Sequence, residues 1–326
     1  SALCIDNAEM IEDLAPALQA ILARHTVTII LAGRNSRTLE TLIDRHFSTE
    51  GSISRETITV YPLSYPEFIQ ATGRKESRET LDLYCRTGGL PQSLLIDPTS
   101  PDSRELHRIR SNSFLLTELI EVHAIRNPVY IRHILSLVAR NTGERLSARM
   151  VCAVFSRMRL TISPQSALDY LAFCQDSGIL IATPLFDIAK NRIVENCESW
   201  YFADAGLRSS FCPLDNNRDL SRAEENLALL RLISDGWKVM RGRLGSGSAS
   251  KEEITFVCLR GDQKAYVEIL GSRTSGADRL KKTKVLLCVP DAWPRYLVDP
   301  AGTEDSADGI NRLSIRELLL EGLKGS

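Results

Sequence analysis

Apolar residues recur along this chain with two periods, and each change of period marks the end of an element. Leu3-Cys4-Ile5 is a short apolar run that stops at Asp6, and Ile11, Leu14, Leu18 and Leu22 then recur at helical spacing. Val27-Thr-Ile-Ile-Leu31 is a β-branched run closed by Gly33, and Ile58 to Tyr61 alternates until Pro62, so both read as strands. Joined through a polar helix-like segment, these two strands imply a parallel pair. Arg78 to Tyr84 reads as a helix, ended by the turn Thr87-Gly88-Gly89-Leu90-Pro91. Asp97 to Ser103 reads as a loop, and a long helical tract follows from about Glu105 to Arg126.

The second half alternates helices and strands. Ile131, Ile134, Leu135, Leu137 and Val138 form one helix face, ending at Asn141-Thr142-Gly143. Ser147 is placed to cap a second helix carrying Met150, Val151, Val154 and Phe155. Ser163, with Pro164 at the first helical position, opens a third that buries Leu168, Leu171 and Cys174. Ile179–Leu185 and Arg192–Glu195 read as two further strands, so residues from Tyr130 to about Phe211 are expected to form a winged helix-turn-helix. Beyond Asp219, Glu225-Asn226 is expected to open a helix through Leu227, Leu230 and Leu232. A Gly/Ser-rich turn (Gly242 to Ser250) and the strands Glu253–Val257 and Ala265–Leu270 follow.

At 326 residues the chain has room for two or three domains. It is 43% hydrophobic and 25% charged, which is ordinary globular composition. A formal net charge of -1 gives no global attraction to nucleic acid or to a membrane. The eight cysteines are scattered without a C-x-x-C pair, which argues against a zinc site or a secreted disulfide framework and favours reduced thiols in a cytoplasm. No apolar run approaches the roughly 18 residues of a spanning helix. The first residue is Ser1, as in a processed or trimmed chain, and no signal peptide is apparent.

Three motifs carry a family resemblance. Gly33-Arg34-Asn35-Ser36 closes the first strand, Val60-Tyr-Pro-Leu-Ser-Tyr-Pro-Glu-Phe68 follows, and Thr87-Gly-Gly-Leu-Pro91 comes next. These resemble AAA-type ATP-binding proteins of bacteria and archaea that carry a C-terminal domain of unknown function. The resemblance implies a partial parallel-sheet ATPase lobe at 1–95, a helical linker at 96–128, the winged helix at 129–212 and an α/β domain at 213–326. In that family Asp6 would be the metal-side carboxylate of a Walker B element. Asn7 stands where a glutamate polarises water, and an amide cannot act as a base. The alternative is a strand end with an Asp helix cap. Asn35 would be the sensor residue, and Arg55 either a phosphate-facing finger or a strand-edge arginine paired with a surface carboxylate. Gly88-Gly89 is either a sensor-2-like turn, with Arg86, or a capping turn. The family binds ATP and Mg²⁺. No G-x-x-x-x-G-K-[ST] loop occurs in this sequence, so this chain by itself is not expected to hold a nucleotide.

Residues 225–270 resemble the restriction-nuclease-like fold. Such nucleases place a helix Glu, an Asp and a Glu-x-Lys around a metal. Here Glu225, Glu253 and Glu268 remain as metal candidates, Thr255 replaces the Asp and Leu270 the Lys, with Lys251 or Lys264 as possible substitutes. Alternation puts Tyr266, Glu268 and Leu270 on one strand face. Arg145, Arg149 and Arg157 are the candidate nucleic-acid contacts of the winged region. The expectation is thus a multidomain α/β protein that cleaves neither ATP nor DNA by itself. Such a chain would act as an interaction or regulatory module, with another protein, a second copy of itself or DNA as partner.

Overall fold

The computed structural model describes residues 2–33, 36–47, 54–95, 119, 125, 127–245, 252–271, 274–300 and 309–323. Asn35, Lys251, the Asp97–Ser103 loop, most of the Glu105–Arg126 helix and part of the Gly/Ser-rich turn lie outside them. The architecture is mixed α/β, with one small parallel sheet, one large mixed sheet and helices around them.

At the N-terminal end, β1 (Ala2–Ile5) pairs in parallel with β2 (Thr28–Leu31), from Ala2 opposite Thr28 to Ile5 opposite Leu31. Helices α1 (Leu14–Leu22) and α2 (Ser36–Phe47) cover this pair through a small core of Ala8, Leu14, Leu18 and Leu39. The partner of Thr28–Leu31 is therefore β1, not Ile58–Tyr61. Residues 54–60 form no strand, and Ile58 and Val60 are exposed. Alternation proposes a strand but supplies no edge for it to pair with, and pairing is what makes a strand.

Helix α3 (Tyr65–Thr72) starts from a capping box in which the Ser64 amide donates to Glu67 at 2.8 Å, and ends at Gly73 with φ +64°. Helix α4 (Arg78–Thr87) is capped by Ser77, whose hydroxyl accepts from Thr80 N at 3.1 Å. Both pack into the main core. Their Tyr65, Phe68, Leu81 and Tyr84 meet Leu227, Leu229 and Leu232 of α9 (Asn217–Ser234) and Leu318 and Leu319 of α11 (Ile315–Glu321).

Next come α5 (Pro128–Arg140), α6 (Ala148–Arg157) and α7 (Pro164–Asp176), followed by the antiparallel strands β3 (Leu180–Asp187) and β4 (Arg192–Phe202). Ser147 and Ser163 cap α6 and α7 as expected. Ile131, Ile134, Leu135, Val138, Val151, Phe155, Leu171 and Cys174 are buried together, whereas Met150 and Leu168 face outward. β4 runs seven residues beyond Glu195, because its C-terminal half, Trp200-Tyr201-Phe202, is buried against two cores.

The large sheet has the order β4-β3-β5-β6-β7-β8-β9, with β5 Lys238–Arg243, β6 Glu253–Arg260, β7 Gln263–Ile269, β8 Arg295–Val298 and β9 Asn311–Leu313. β3 joins β5 in parallel, from Leu185 opposite Arg241 to Asp187 opposite Arg243. One sheet thus runs across the expected boundary at residue 212. Helix α9 begins at Asn217 behind an Asn216 cap, so Glu225 lies in its middle and does not open it. Ala228 and Leu229, three and four residues beyond Glu225 and both buried in the core, share its helix face and turn it toward the sheet.

Two of the sequence motifs, Val60–Phe68 and Thr87–Pro91, meet Asp204 at one point behind this sheet. Leu63 N donates to Gly89 O at 2.8 Å, and the Tyr84 hydroxyl donates to Leu63 O at 2.6 Å. Asp204, the N-cap of α8 (Ala205–Phe211), accepts from Gly89 N at 2.7 Å and from Leu207 N at 2.9 Å. A Cβ on Gly89 would lie 2.1 Å from Leu63 O, so only glycine allows the two backbones this approach. Thr87-Gly88-Gly89-Leu90-Pro91 is in this sense a structural turn: Gly88 ends α4, and Gly89 docks it on the Pro62-Leu63-Ser64 segment.

Candidate functional site

The charged residues that gather are those of the large sheet. A cleft of about 320 Å³ opens between the Thr142-Gly143-Glu144 turn after α5, the first turns of α9 (Arg218, Ser221, Arg222, Glu225), Arg241 of β5, the end of β7 (Ile269, Gly271) and Lys282 of α10 (Gly276–Leu287). Gly143 has φ +80°, and a Cβ there would sit 2.3 Å from Glu225 Oε1, so glycine lets the turn close over α9.

Each expected metal carboxylate has a basic partner. Glu225 Oε1 accepts from Arg241 at 2.7 Å and from the Tyr201 hydroxyl at 2.7 Å, while Arg241 also reaches the Tyr201 oxygen at 3.1 Å. Burial disfavours the Arg241 cation, but Tyr201, Glu225 and nearby Glu268 outweigh that and raise its pKa. Burial also pushes the Tyr201 phenol well above its ordinary value. Glu268 is buried. It accepts from Lys282 Nζ at 2.5 Å and from Thr255 N at 2.8 Å, and Lys282 also donates to Ile269 O at 3.1 Å. Glu253 pairs with Arg145 at 2.5 Å.

The expected trio of Glu225, Glu253 and Glu268 is therefore three separate ion pairs. Among the described residues no group of three or more His, Cys, Asp or Glu side chains could hold a metal ion. The residues do not fit a two-carboxylate metal centre, because cations from β5, α10 and the α5–α6 turn already neutralise the carboxylates. The lysine beside Glu268 is Lys282. Lys264 instead pairs with Asp291 at 3.0 Å. Tyr266, Glu268 and Leu270 are all buried on one face of β7 as alternation requires, with Tyr266 and Leu270 in the core opposite Val267 and Ile269.

The other candidates lie apart. Asp6 follows β1 in an exposed position, where its carboxylate accepts from the adjacent Asn7 amide at 2.8 Å. Arg55 is exposed and pairs with Asp44, which is the surface pairing and not a phosphate-facing pose. Asn35 lies outside the described residues. Arg149 and Arg157 are exposed on α6, while Arg145 is turned to Glu253. Two further ion pairs bracket the cleft: Arg222, nearly buried, donates to Thr142 O at 3.0 Å and pairs with Glu144, which also reaches Arg218 at 3.4 Å. Behind Thr142, the fully buried Arg208 donates through Nε to the Thr142 hydroxyl at 3.0 Å.

Arg241 and Lys282 were not apparent from sequence motifs, yet each had a local signal. Arg241-Gly242-Arg243 ends a strand with two cations at alternate positions, hence on one sheet face. Lys282 precedes the buried Val285 and Leu286 by three and four residues, so it lies on their helix face, and it is half-buried where Lys281 and Lys284 are exposed.

A family described as a domain of unknown function, DUF8612, matches residues 78–218, from α4 to the start of α9. No curated protein matches. Among solved structures, the chain is similar to the Walker-type ATPase PABY2304 of Pyrococcus abyssi, with a TM-score of 0.45 and 14% identity over 64% of this chain and 62% of that one. The chain thus spans less than two thirds of that protein's length. Among the described residues, no helix is long and apolar enough to cross a membrane.

Proposed function

We propose that this chain is part of a cytoplasmic AAA-type ATP-binding protein, and that the described residues form a non-catalytic interaction or regulatory module. In this reading α5–α7 with β3 and β4 are a winged helix, and α9 with β5–β9, α10 and α11 is a restriction-nuclease-like unit that does not cleave. One observation carries it: Glu225, Glu253 and Glu268 each face a basic side chain, Arg241, Arg145 and Lys282 in turn. A carboxylate already neutralised by a hydrogen-bonded cation gives a divalent ion little to gain. With no phosphate loop in its sequence, this chain by itself does not hold ATP and Mg²⁺ in the manner of a Walker-type protein, and its partner is another protein or a second copy.

The test is a plasmid-nicking assay in Mg²⁺ and in Mn²⁺. Supercoiled plasmid is expected to stay intact, and nicking that disappears in Glu268→Ala would overturn the proposal.

A second reading, DNA binding through the winged helix, is favoured by the exposure of Arg149 and Arg157 on α6. It predicts weak binding that falls steeply with salt and is lost in the Arg149→Ala/Arg157→Ala double variant. Binding that survives both treatments would place the contact elsewhere.

A further inference from the structure

We infer that the cleft between α9, β5, α10 and the α5–α6 turn binds a phosphate group, carried on a nucleotide or on the end of a nucleic-acid strand. This rests on the non-cleaving reading of the sheet unit and names the ligand of the same cleft. Arg218, Arg222, Arg241 and Lys282 line it, against the carboxylates of Glu144 and Glu225. Behind its Thr142 wall stands the guanidinium of Arg208, fully buried, with no hydrogen-bond partner among the described residues at Nη1 or Nη2. A buried positive charge there adds to the potential of the cleft, because little solvent screens it.

The lining also selects against other ligands. Among the described residues Ile269 is the one large apolar side chain in it and no aromatic ring lines it, so these residues offer no ring for a base to stack on. What the cleft recognises is an oxyanion, and arginine suits the multidentate acceptor geometry of phosphate.

Glu144 balances two of the cations of the cleft. It is half-exposed, bridges Arg218 and Arg222, and belongs to a surface turn. Its carboxylate therefore stands where an incoming phosphate oxygen would, and can swing to solvent when one arrives. Arg241 stays paired with Glu225 and Lys282 with Glu268, so both contribute field while Arg218 and Arg222 make the exchangeable contacts.

The competition gives a test that a purely structural role for these ion pairs does not pass. The full chain is titrated against a 3′-labelled oligodeoxynucleotide with and without a 5′-phosphate, followed by anisotropy, and against inorganic phosphate and AMP by calorimetry. The 5′-phosphorylated strand, AMP or inorganic phosphate is expected to bind. Glu144→Gln should tighten that binding several-fold, and Arg218→Glu, at an exposed position, should weaken it about tenfold. Arg24→Ala, at an exposed position outside the cleft, should leave it unchanged. Preference for the phosphorylated strand assigns the source to strand ends, and binding of AMP or phosphate alone assigns it to free nucleotide. Affinity indifferent to the 5′-phosphate with no binding of the small anions, or Glu144→Gln that weakens or leaves affinity unaltered, overturns the inference. Strand cleavage in the same tubes contradicts the non-cleaving reading instead, whatever the affinity.

Discussion

Lys282→Met is expected to lower the stability of the protein by about 2–3 kcal/mol, as when one partner of a largely buried ion pair is removed. Glu268 is 2% exposed, and its other hydrogen bond comes from the Thr255 amide. Without the ammonium, a carboxylate is left in the sheet core with one neutral donor. Lys282 itself is more than a third exposed at its side chain, which places the cost below that of a wholly buried pair. The proof lies in the double variant. Lys282→Met/Glu268→Gln removes the orphaned charge and should regain most of the loss, a coupling of about 1–2 kcal/mol between the two sites in urea denaturation. Additive losses would mean that the pair does not neutralise Glu268.

Asp204→Ala should cost about 2–4 kcal/mol, the sum of a lost helix cap and a buried backbone amide left without an acceptor. Asp204 is 2% exposed and holds Gly89 N and Leu207 N, so it caps α8 and pins the Gly88-Gly89 turn in one stroke. Burial pushes its carboxyl above the ordinary range, while the backbone amides around it act in the opposite sense. Asp204→Asn keeps one acceptor oxygen and should lose less than the alanine variant. Equal losses in the two variants would show that the amides are satisfied without this side chain.

Local chemistry made much of the fold legible. The caps at Ser147 and Ser163, the glycine at the end of α4, and the buried faces of α5 and β7 follow from spacing and short-range hydrogen bonding. Long-range pairing was not legible. The alternation of Ile58–Tyr61 could not reveal that β1 takes the edge of β2, nor could the reading of residues 129–212 as a winged-helix domain reveal the parallel join of β3 to β5. The site shows the same division. Glu225 and Glu268 became candidates through the resemblance to the restriction-nuclease-like fold, but their partners come from β5 and α10, 16 and 14 residues away in sequence. Arg145 is the clearest case: it counted as a nucleic-acid contact by its charge, and it is spent on Glu253, 108 residues away.

In the proposed reading Arg241 and Lys282 take the electrostatic place of a metal ion beside Glu225 and Glu268. Calorimetric titration of the full chain with Mn²⁺, with Lys282→Met alongside, is the decisive measurement. No saturable heat is expected in the native protein at millimolar Mn²⁺, and weak binding is expected to appear once Lys282 no longer covers Glu268. Saturable Mn²⁺ binding to the native protein that vanishes in Glu268→Ala would contradict it.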